Sequence, residues 1–277
     1  MKAPFLAAVA LVALTFAGVA QAGPGPTSPL YLTGTTAGGY YGIAVVQGNS
    51  VINSFPEAYT PSGGESPIAV YGDVRTVFIS PGGLGGQYTL AGTPTGTSYF
   101  TPWVIIDNGV YDSTTDGSHN YLVDYNNGNI FQTARDFTSP TFLFNVGHGD
   151  FGITYDRANN SLWISSWNSS TSVFDYSLGG ALLSSFSTGH YANAALALDP
   201  ADHTLWLVNE YSVDPNFGYL EQYSTSGVLL STGPYVGYGQ GGEFNLAPTT
   251  TPEPGTLVMF GSGILGLAGV LRRKINL

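Results

Sequence analysis

Short apolar-alternating runs, four to a unit of about 40–45 residues, predict an all-β fold and, within that class, a β-propeller of about five four-stranded blades. Three observations carry this expectation: a gapless internal repeat, a second pair of matching segments downstream, and three strand-like runs at the front of the chain answered by one at the back. A four-stranded sheet has two faces to bury, and stacking such sheets around an axis covers both.

The segment GITYDRANNSLWIS from Gly152 aligns with ALALDPADHTLWLV from Ala195 at an offset of 43. Ile153 falls on Leu196, Asp156 on Asp199, Leu162 on Leu205 and Trp163 on Trp206. VFDYSLGGALLS from Val173 aligns with LEQYSTSGVLLS from Leu220 at an offset of 47, with Tyr176 on Tyr223, so four extra residues lie around Asp214-Pro215. A fainter copy, IAVYGDVRTVFIS from Ile68, matches ITYDRANNSLWIS from Ile153 at an offset of 85, close to two repeats. In a fourth, Gly109-Val110-Tyr111 stands for Ser161-Leu162-Trp163, and YLVDYNNGNIFQT from Tyr121 stands for SVFDYSLGGALLS, with Asn108-Gly109 as a tight turn.

Leu162, Trp163, Leu205, Trp206, Val77 and Phe78 are expected to fill the layers between blades. The front, residues 30–55, holds only three strand-like runs, LYLTGT, YYGIAVV and SVINSF. The missing strand is expected at the back, in Glu243 to Ala247, with Phe244 placed like Phe151 and Leu246 like Ile153. One composite blade then closes the ring, followed by blades at roughly 60–101, 102–138, 148–190 and 191–240. Six blades is the alternative, because Thr141 to Val146 offers further strand material. Pro81-Gly82-Gly83-Leu84-Gly85-Gly86 has no Lys and no following helix, and reads as a flexible loop.

Both ends of the chain read as processing segments. Lys2 precedes an apolar run from Phe5 to Val19, and Ala20-Gln21-Ala22 has the small-x-small form cut by signal peptidase, leaving Gly23 first. The expected division is a signal peptide at 1–22, a linker at 23–29, the propeller at 30–248 and a C-terminal signal at 249–277. An uncharged stretch from Thr256 to Leu271 is a short transmembrane helix candidate, and Arg272-Arg273-Lys274 should stay cytoplasmic.

Between Gly23 and Thr251 there are 17 acids against three bases, Arg75, Arg135 and Arg157, a formal charge of −14. Nucleic acid and anionic lipid are therefore poor partners, whereas cations, neutral sugars and proteins suit such a body. Cysteine is absent, so burial alone must hold the exported body together.

Thr251-Pro252-Glu253-Pro254-Gly255, the short Gly/Leu-rich stretch and the terminal basic cluster occur in that order at the end of the chain. This tail resembles the PEP-CTERM sorting signal of Gram-negative bacteria. The resemblance covers about 27 residues, with Pro252, Glu253 and Pro254 as its motif and Arg272, Arg273 and Lys274 as its basic cluster. It implies recognition by an exosortase, a membrane protease-transpeptidase, after a transient inner-membrane anchor. It also implies delivery of the body to the envelope or extracellular matrix of bacteria that make exopolysaccharide and biofilm.

The body carries no zinc-type His/Cys spacing, no G-x-S-x-G elbow and no phosphate loop. One constellation repeats. Three residues before the aligned first-strand position stand Glu65, Asp150, Asn193 and Glu243. On a rotational repeat these are expected to ring one mouth of the channel, where hard oxygen donors suit Ca²⁺; the same groups also suit turn capping. The blade near Trp103 offers no acid at this position. His148, His190 and Tyr238, each just after a glycine, are candidate ligand groups beside them, whereas His119 and His203 fall in turns and are expected to be solvated. Two functions remain open: a non-catalytic binding or structural protein, with exopolysaccharide or another surface protein as partner, and a metal-dependent propeller hydrolase or lactonase.

Overall fold

The structure, a computed structural model, describes residues 25–35, 41–60, 64–78, 83–101, 109–147 and 149–248. The processing residues Ala20, Ala22 and Gly23, the sorting residues Pro252, Glu253, Pro254, Arg272, Arg273 and Lys274, the 256–271 segment, Trp103 and His148 lie outside the described residues. Among those described, no helix is long and apolar enough to cross a membrane.

Five four-stranded antiparallel sheets form a ring. The first joins β1 (Leu30–Thr35), β2 (Tyr41–Gln47) and β3 (Ser50–Pro56) to β20 (Tyr238–Phe244) from the far end of the chain. The second holds β4 (Ile68–Val70), β5 (Val74–Val77), β6 (Gly83–Tyr88) and β7 (Pro94–Thr101). The third holds β8 (Ser113–Thr115), β9 (His119–Val123), β10 (Asn129–Ala134) and β11 (Thr141–Asn145). The fourth runs through β12 (Asp150–Asp156), β13 (Ser161–Ser166), β14 (Ser172–Ser177) and β15 (Leu182–Ser187). The fifth runs through β16 (Asn193–Leu198), β17 (Thr204–Asn209), β18 (Tyr219–Ser224) and β19 (Leu229–Tyr235). The innermost strands β20, β4, β8, β12 and β16 touch in that order and close the circle.

Burial follows the radius. Every residue of β13, β16 and β17 is buried, whereas the outer strands β3, β7 and β15 are mostly exposed. Apolar residues gather in five clusters, one between each pair of neighbouring blades. Trp206 packs with Leu30, Leu32 and Phe244 of the composite blade, and Trp163 packs with Leu196, Leu205 and Leu207 of the fifth. Leu162 meets Tyr121, Val123 and Ile130 of the third. Val77 is buried as expected, but Phe78 lies beyond the end of β5 and is only half-buried, closing over Gly64.

Turns at the far end of the inner strands staple the blades. Asp156 accepts the Ala158 N–H within its own turn at 2.8 Å and contacts His203 Nε2 of the next blade at 3.2 Å. Asp199 accepts the Ala201 N–H at 2.9 Å and the Ser28 hydroxyl at 2.8 Å. Arg135 donates to Asp73 of the preceding blade at 2.7 Å. His203 is thus a partly exposed bridge between blades, and His119 contacts Asp116 at 3.3 Å, so neither is simply solvated.

Four sequence expectations need correction. The third blade extends to Asn145, because Thr141 to Asn145 forms its outer strand, which makes the ring five-bladed. In that blade, Gly109 to Tyr111 is the approach to the inner strand, and Tyr121 belongs to the second strand, one strand earlier than the repeat suggested. The closing strand begins at Tyr238 and ends at Phe244, which pairs with Leu30; Leu246 lies past it. The glycine run from Gly83 is strand β6, where a Cβ on Gly86 would strike the Tyr59 ring, so the run serves close ring-on-strand packing.

Both described ends of the chain lie at the same end of the ring. Leu30 pairs with Phe244, Ser28 is bonded to Asp199, and the residues up to Pro248 line a cavity of about 470 Å³ with Tyr155, Arg157 and His203. Strand β20 reaches this point through glycines packed tightly against the fifth blade: a Cβ on Gly242 would lie 2.6 Å from the Ala195 carbonyl oxygen. Gly242→Ala is therefore expected to cost about 1–3 kcal/mol, read as a lower urea midpoint at unchanged slope. An unchanged midpoint would contradict this packing.

Candidate functional site: the axis and its aromatic mouth

The inner strands crowd the axis so closely that β12 and β8 each reach β20 across it. Each inner strand turns one edge toward its neighbours, and the N–H groups on that edge need acceptors. Side chains supply them. Asp112 accepts the Gly242 N–H at 3.0 Å through Oδ1 and the Ile153 N–H at 3.1 Å through Oδ2, and also the Ser113 N–H at 2.9 Å. Thr114 Oγ1 accepts the Tyr155 N–H at 2.8 Å while donating to Glu243, and Thr154 Oγ1 accepts the Leu198 N–H at 3.1 Å while donating to Glu243 at 3.3 Å. Thr33 accepts the Gly241 N–H at 3.0 Å and donates to the Ser66 carbonyl.

Asp112 and Glu243 are both fully buried. Burial pushes the Asp112 carboxyl well above the usual range, against the pull of the Gly242 and Ile153 N–H groups, and the Glu243 charge adds to the rise. Burial likewise raises Glu243 well above its ordinary value despite the donors Thr114 and Phe244.

The entry to each inner strand and the turn leaving each second strand lie at the same end of a blade. The Tyr125 N–H donates to the Gly109 carbonyl at 2.6 Å, and the Glu210 N–H makes the same bond to Ala192 at 2.9 Å. Glu210 stands 43 residues after Trp167, one repeat on. These segments build a basin of about 450 Å³ over one mouth of the axis, lined by Tyr111, Tyr125, Phe151, Trp167, Glu210, Tyr238 and Gln240. Phe151 lies between Tyr111 (centroids 4.6 Å, 6°) and Trp167 (4.4 Å, 25°), and Tyr125 meets Tyr111 edge-on at 5.6 Å. Tyr238, 54% exposed, meets Phe217 edge-on at 5.3 Å.

Across the basin, Glu210 Oε1 accepts the Gly239 N–H at 2.7 Å. Burial pushes its carboxyl up to about 8 against that bond, so near neutral pH it is mostly protonated. With Oε1 engaged as an acceptor, Oε2 is left to carry the proton.

The expected mouth ring does not form. Among the described residues, no three His, Cys, Asp or Glu side chains gather as a metal site, so Glu65, Asp150 and Glu243 do not converge. Glu65 turns into its own blade. There Oε1 accepts the Tyr59 and Thr60 N–H groups at 2.9 Å each, and Oε2 accepts the Tyr88 hydroxyl at 2.8 Å and that of Thr76. Asp150 is fully buried at the start of β12. Asn193 opens β16 and donates to the His190 carbonyl at 3.1 Å. Glu243 lies near the end of its strand and faces Thr114 and Thr154, so the shared offset in sequence is not a shared place in the ring.

His190 is bonded into its own blade through Glu221. Burial alone would lower its pKa, but Glu221 at 2.8 Å and the Tyr191 carbonyl at 3.0 Å outweigh that and raise it. Tyr223 donates to the same carboxylate at 2.7 Å. Of the two candidate ligand groups among the described residues, Tyr238 lines the aromatic mouth and His190 does not.

The acid near the axis in the third blade, Asp112, was hidden by the one-strand slip in the repeat. Thr114-Thr115-Asp116 reads against Thr154-Tyr155-Asp156, each ending in an Asp that caps a turn, and that alignment places Asp112 on the axis.

Two outcomes test this geometry. Asp112→Ala strands three buried N–H groups at about 1–3 kcal/mol each, and Asp112→Asn keeps one acceptor oxygen but turns an amide NH2 toward a donor. Both are therefore expected to lower the urea midpoint, alanine at least as much; an unchanged midpoint in Asp112→Ala would contradict the bonding. For Glu210 the folded state holds its proton up to about 8, against the ordinary 4.5. The stability this gives is complete below the unfolded pKa and is lost as pH rises through the folded one. Wild-type melting temperature is therefore expected to fall relative to Glu210→Gln between pH 4.5 and pH 8. Asp112 and Glu243 are common to both proteins and cancel. Parallel curves would contradict the raised value.

Comparison with known proteins follows the same division between body and tail. Residues 250–274 match the PEP-CTERM protein-sorting motif. The body is similar to a chain of a nidogen/laminin complex at 16% identity and a TM-score of 0.53, covering 71% of this chain and 74% of that one. It is also similar to glutaminyl cyclase of Myxococcus xanthus, at 13% identity, a TM-score of 0.47 and coverage of 66% and 75%. Virginiamycin B lyase from Staphylococcus aureus aligns at 14% identity, a TM-score of 0.43 and coverage of 71% and 67%. At such identity the first of these speaks to the fold alone. Among curated protein sequences none matches. The chain is a five-bladed β-propeller bearing a PEP-CTERM sorting motif, which implies export, a transient membrane anchor and exosortase processing.

Proposed function

We propose that this is a protein of the cell envelope or extracellular matrix whose propeller is a non-catalytic binding body. In this reading signal peptidase cuts after Ala22, and the exosortase releases or transfers the body near Pro252-Glu253-Pro254. The observation that carries the reading is the sorting motif at residues 250–274, joined to a ring with an open aromatic mouth. Exopolysaccharide or another surface protein is the partner such a body would meet at the cell surface.

One observation favours an enzyme instead: Glu210 is an acid held protonated near neutral pH within a basin, as a general acid must be. The metal-dependent hydrolase or lactonase reading needs a cation such as Ca²⁺ as well. Turnover of lactones or esters that is abolished by chelator would select it.

Replacing Pro252, Glu253 and Pro254 together by alanine is expected to leave the protein uncut and membrane-bound. Cell fractions and the mass of the mature protein provide the measurement. A mature wild-type mass that still includes Arg272, or normal release of the alanine variant, would overturn the processing. Removal of the last 26 residues is expected to send the body out of the cell without any membrane-bound stage.

A further inference from the structure

We infer that the aromatic mouth is a binding site for a neutral polysaccharide chain, in which aromatic rings receive the faces of sugar rings and Glu210 and Gln240 hold their hydroxyls. The inference rests on the reading of the propeller as a binding body and assigns that body its site and ligand class.

A pyranose presents a patch of C–H groups on its face and hydroxyls around its rim. Its complement is an aromatic surface edged by a few groups that both donate and accept. The basin has that composition. Phe151 is buried with its faces taken by Tyr111 and Trp167, so the rings left to meet a sugar are the half-buried Trp167, by its other face, and Tyr238, exposed at the rim. With them in the basin are a carboxyl and an amide, Glu210 and Gln240. Phenol, amide and protonated carboxyl each donate and accept. A volume of about 450 Å³ takes a short saccharide segment rather than a folded partner.

Charge narrows the class. The body carries −14, and among the described residues no Lys, Arg or His lines the basin. Arg75 and Arg135 are held by Asp73, and Arg157 lines the opposite mouth. Anionic chains such as uronic acid polymers therefore meet no counter-charge. Cationic ligands gain little, because the one carboxyl in the basin is mostly neutral near pH 7. Among the described residues, the other titratable groups lining the basin with Glu210 are the phenols of Tyr111, Tyr125 and Tyr238.

The test is an array of neutral, acidic and amino glycans, with a proline-rich peptide as the competing aromatic-cradle ligand, probed with the purified body at pH 7. Neutral glycans are expected to bind, and Trp167→Ala and Tyr238→Ala are each expected to weaken binding at least tenfold. Tyr238 is exposed, so its variant keeps the wild-type melting temperature even if loss of Trp167 disturbs the ring stack. Wild-type binding is expected to weaken between pH 7 and pH 9, and that of Glu210→Gln to change little over the same range. Binding confined to acidic glycans or to the peptide, no glycan bound, or wild-type affinity in Tyr238→Ala and Trp167→Ala would overturn the assignment. Cleavage of a bound neutral glycan would instead leave the site standing and sink the non-catalytic reading. An exported, processed body without turnover and without glycan binding would do the reverse.

Discussion

Five strand edges meeting on one axis are the constraint from which the rest of this structure follows. A backbone N–H in a space too narrow for water must find an acceptor or cost the fold its desolvation. Here the acceptors are Asp112, Thr114 and Thr154, each answering a strand in another blade, while Thr33 accepts within the composite blade and donates to the Ser66 carbonyl of the next. The blades are therefore coupled along the axis by directional bonds, while the apolar layers between them supply area without direction. Gly242 and Gly152 belong to the same solution. A Cβ at Gly152 would lie 2.6 Å from that of Leu196, so the blades can approach only because no side chain intervenes. Hydroxyl and carboxyl groups then fit where larger residues would push the ring open.

Without cysteine, closure falls to the pairing of β1 with β20, which joins residues more than 200 positions apart. Each strand of that pair also carries a side of an apolar layer: Leu30 and Phe244 pack with Trp206 of the fifth blade. The closing strand is thus held by its ladder, by burial and by Asp112 at once. The turn staples, His203 on Asp156 and Ser28 on Asp199, add a second level of contact around the ring.

The fourth and fifth blades were legible because their apolar pattern and turn aspartates survive in both copies. Asp156 and Asp199 do the same work in the structure and therefore recur in the sequence. The tail was legible because its three parts must follow a fixed order. The glycine-rich strands β6 and β20 were not, since alternation of side chains cannot be read where side chains are missing. What those strands touch, Tyr59 in one case and Ala195 in the other, comes from distant sequence. The metal ring failed for a related reason. Glu65 and Glu243 share an offset from an apolar residue, but the first caps its own blade and the second spans the axis. Glu210 was invisible because it replaces Trp167 in the repeat, and its unusual proton affinity is created by rings contributed from other blades.

The described chain starts and stops at the mouth opposite the aromatic basin. The described chain therefore leaves the propeller at Pro248 on the face away from the basin. Copies held side by side in a bilayer would display their basins outward as a dense two-dimensional array. If the basin binds polysaccharide as proposed, a polymer meeting that array would be engaged by many weak contacts whose effective concentration is set by spacing, and avidity can exceed single-site affinity by about 10²–10⁴. Cutting the tether would dissolve the array into single molecules. On that reading, proteolysis near the bilayer would lower adhesive strength with no change in the basin.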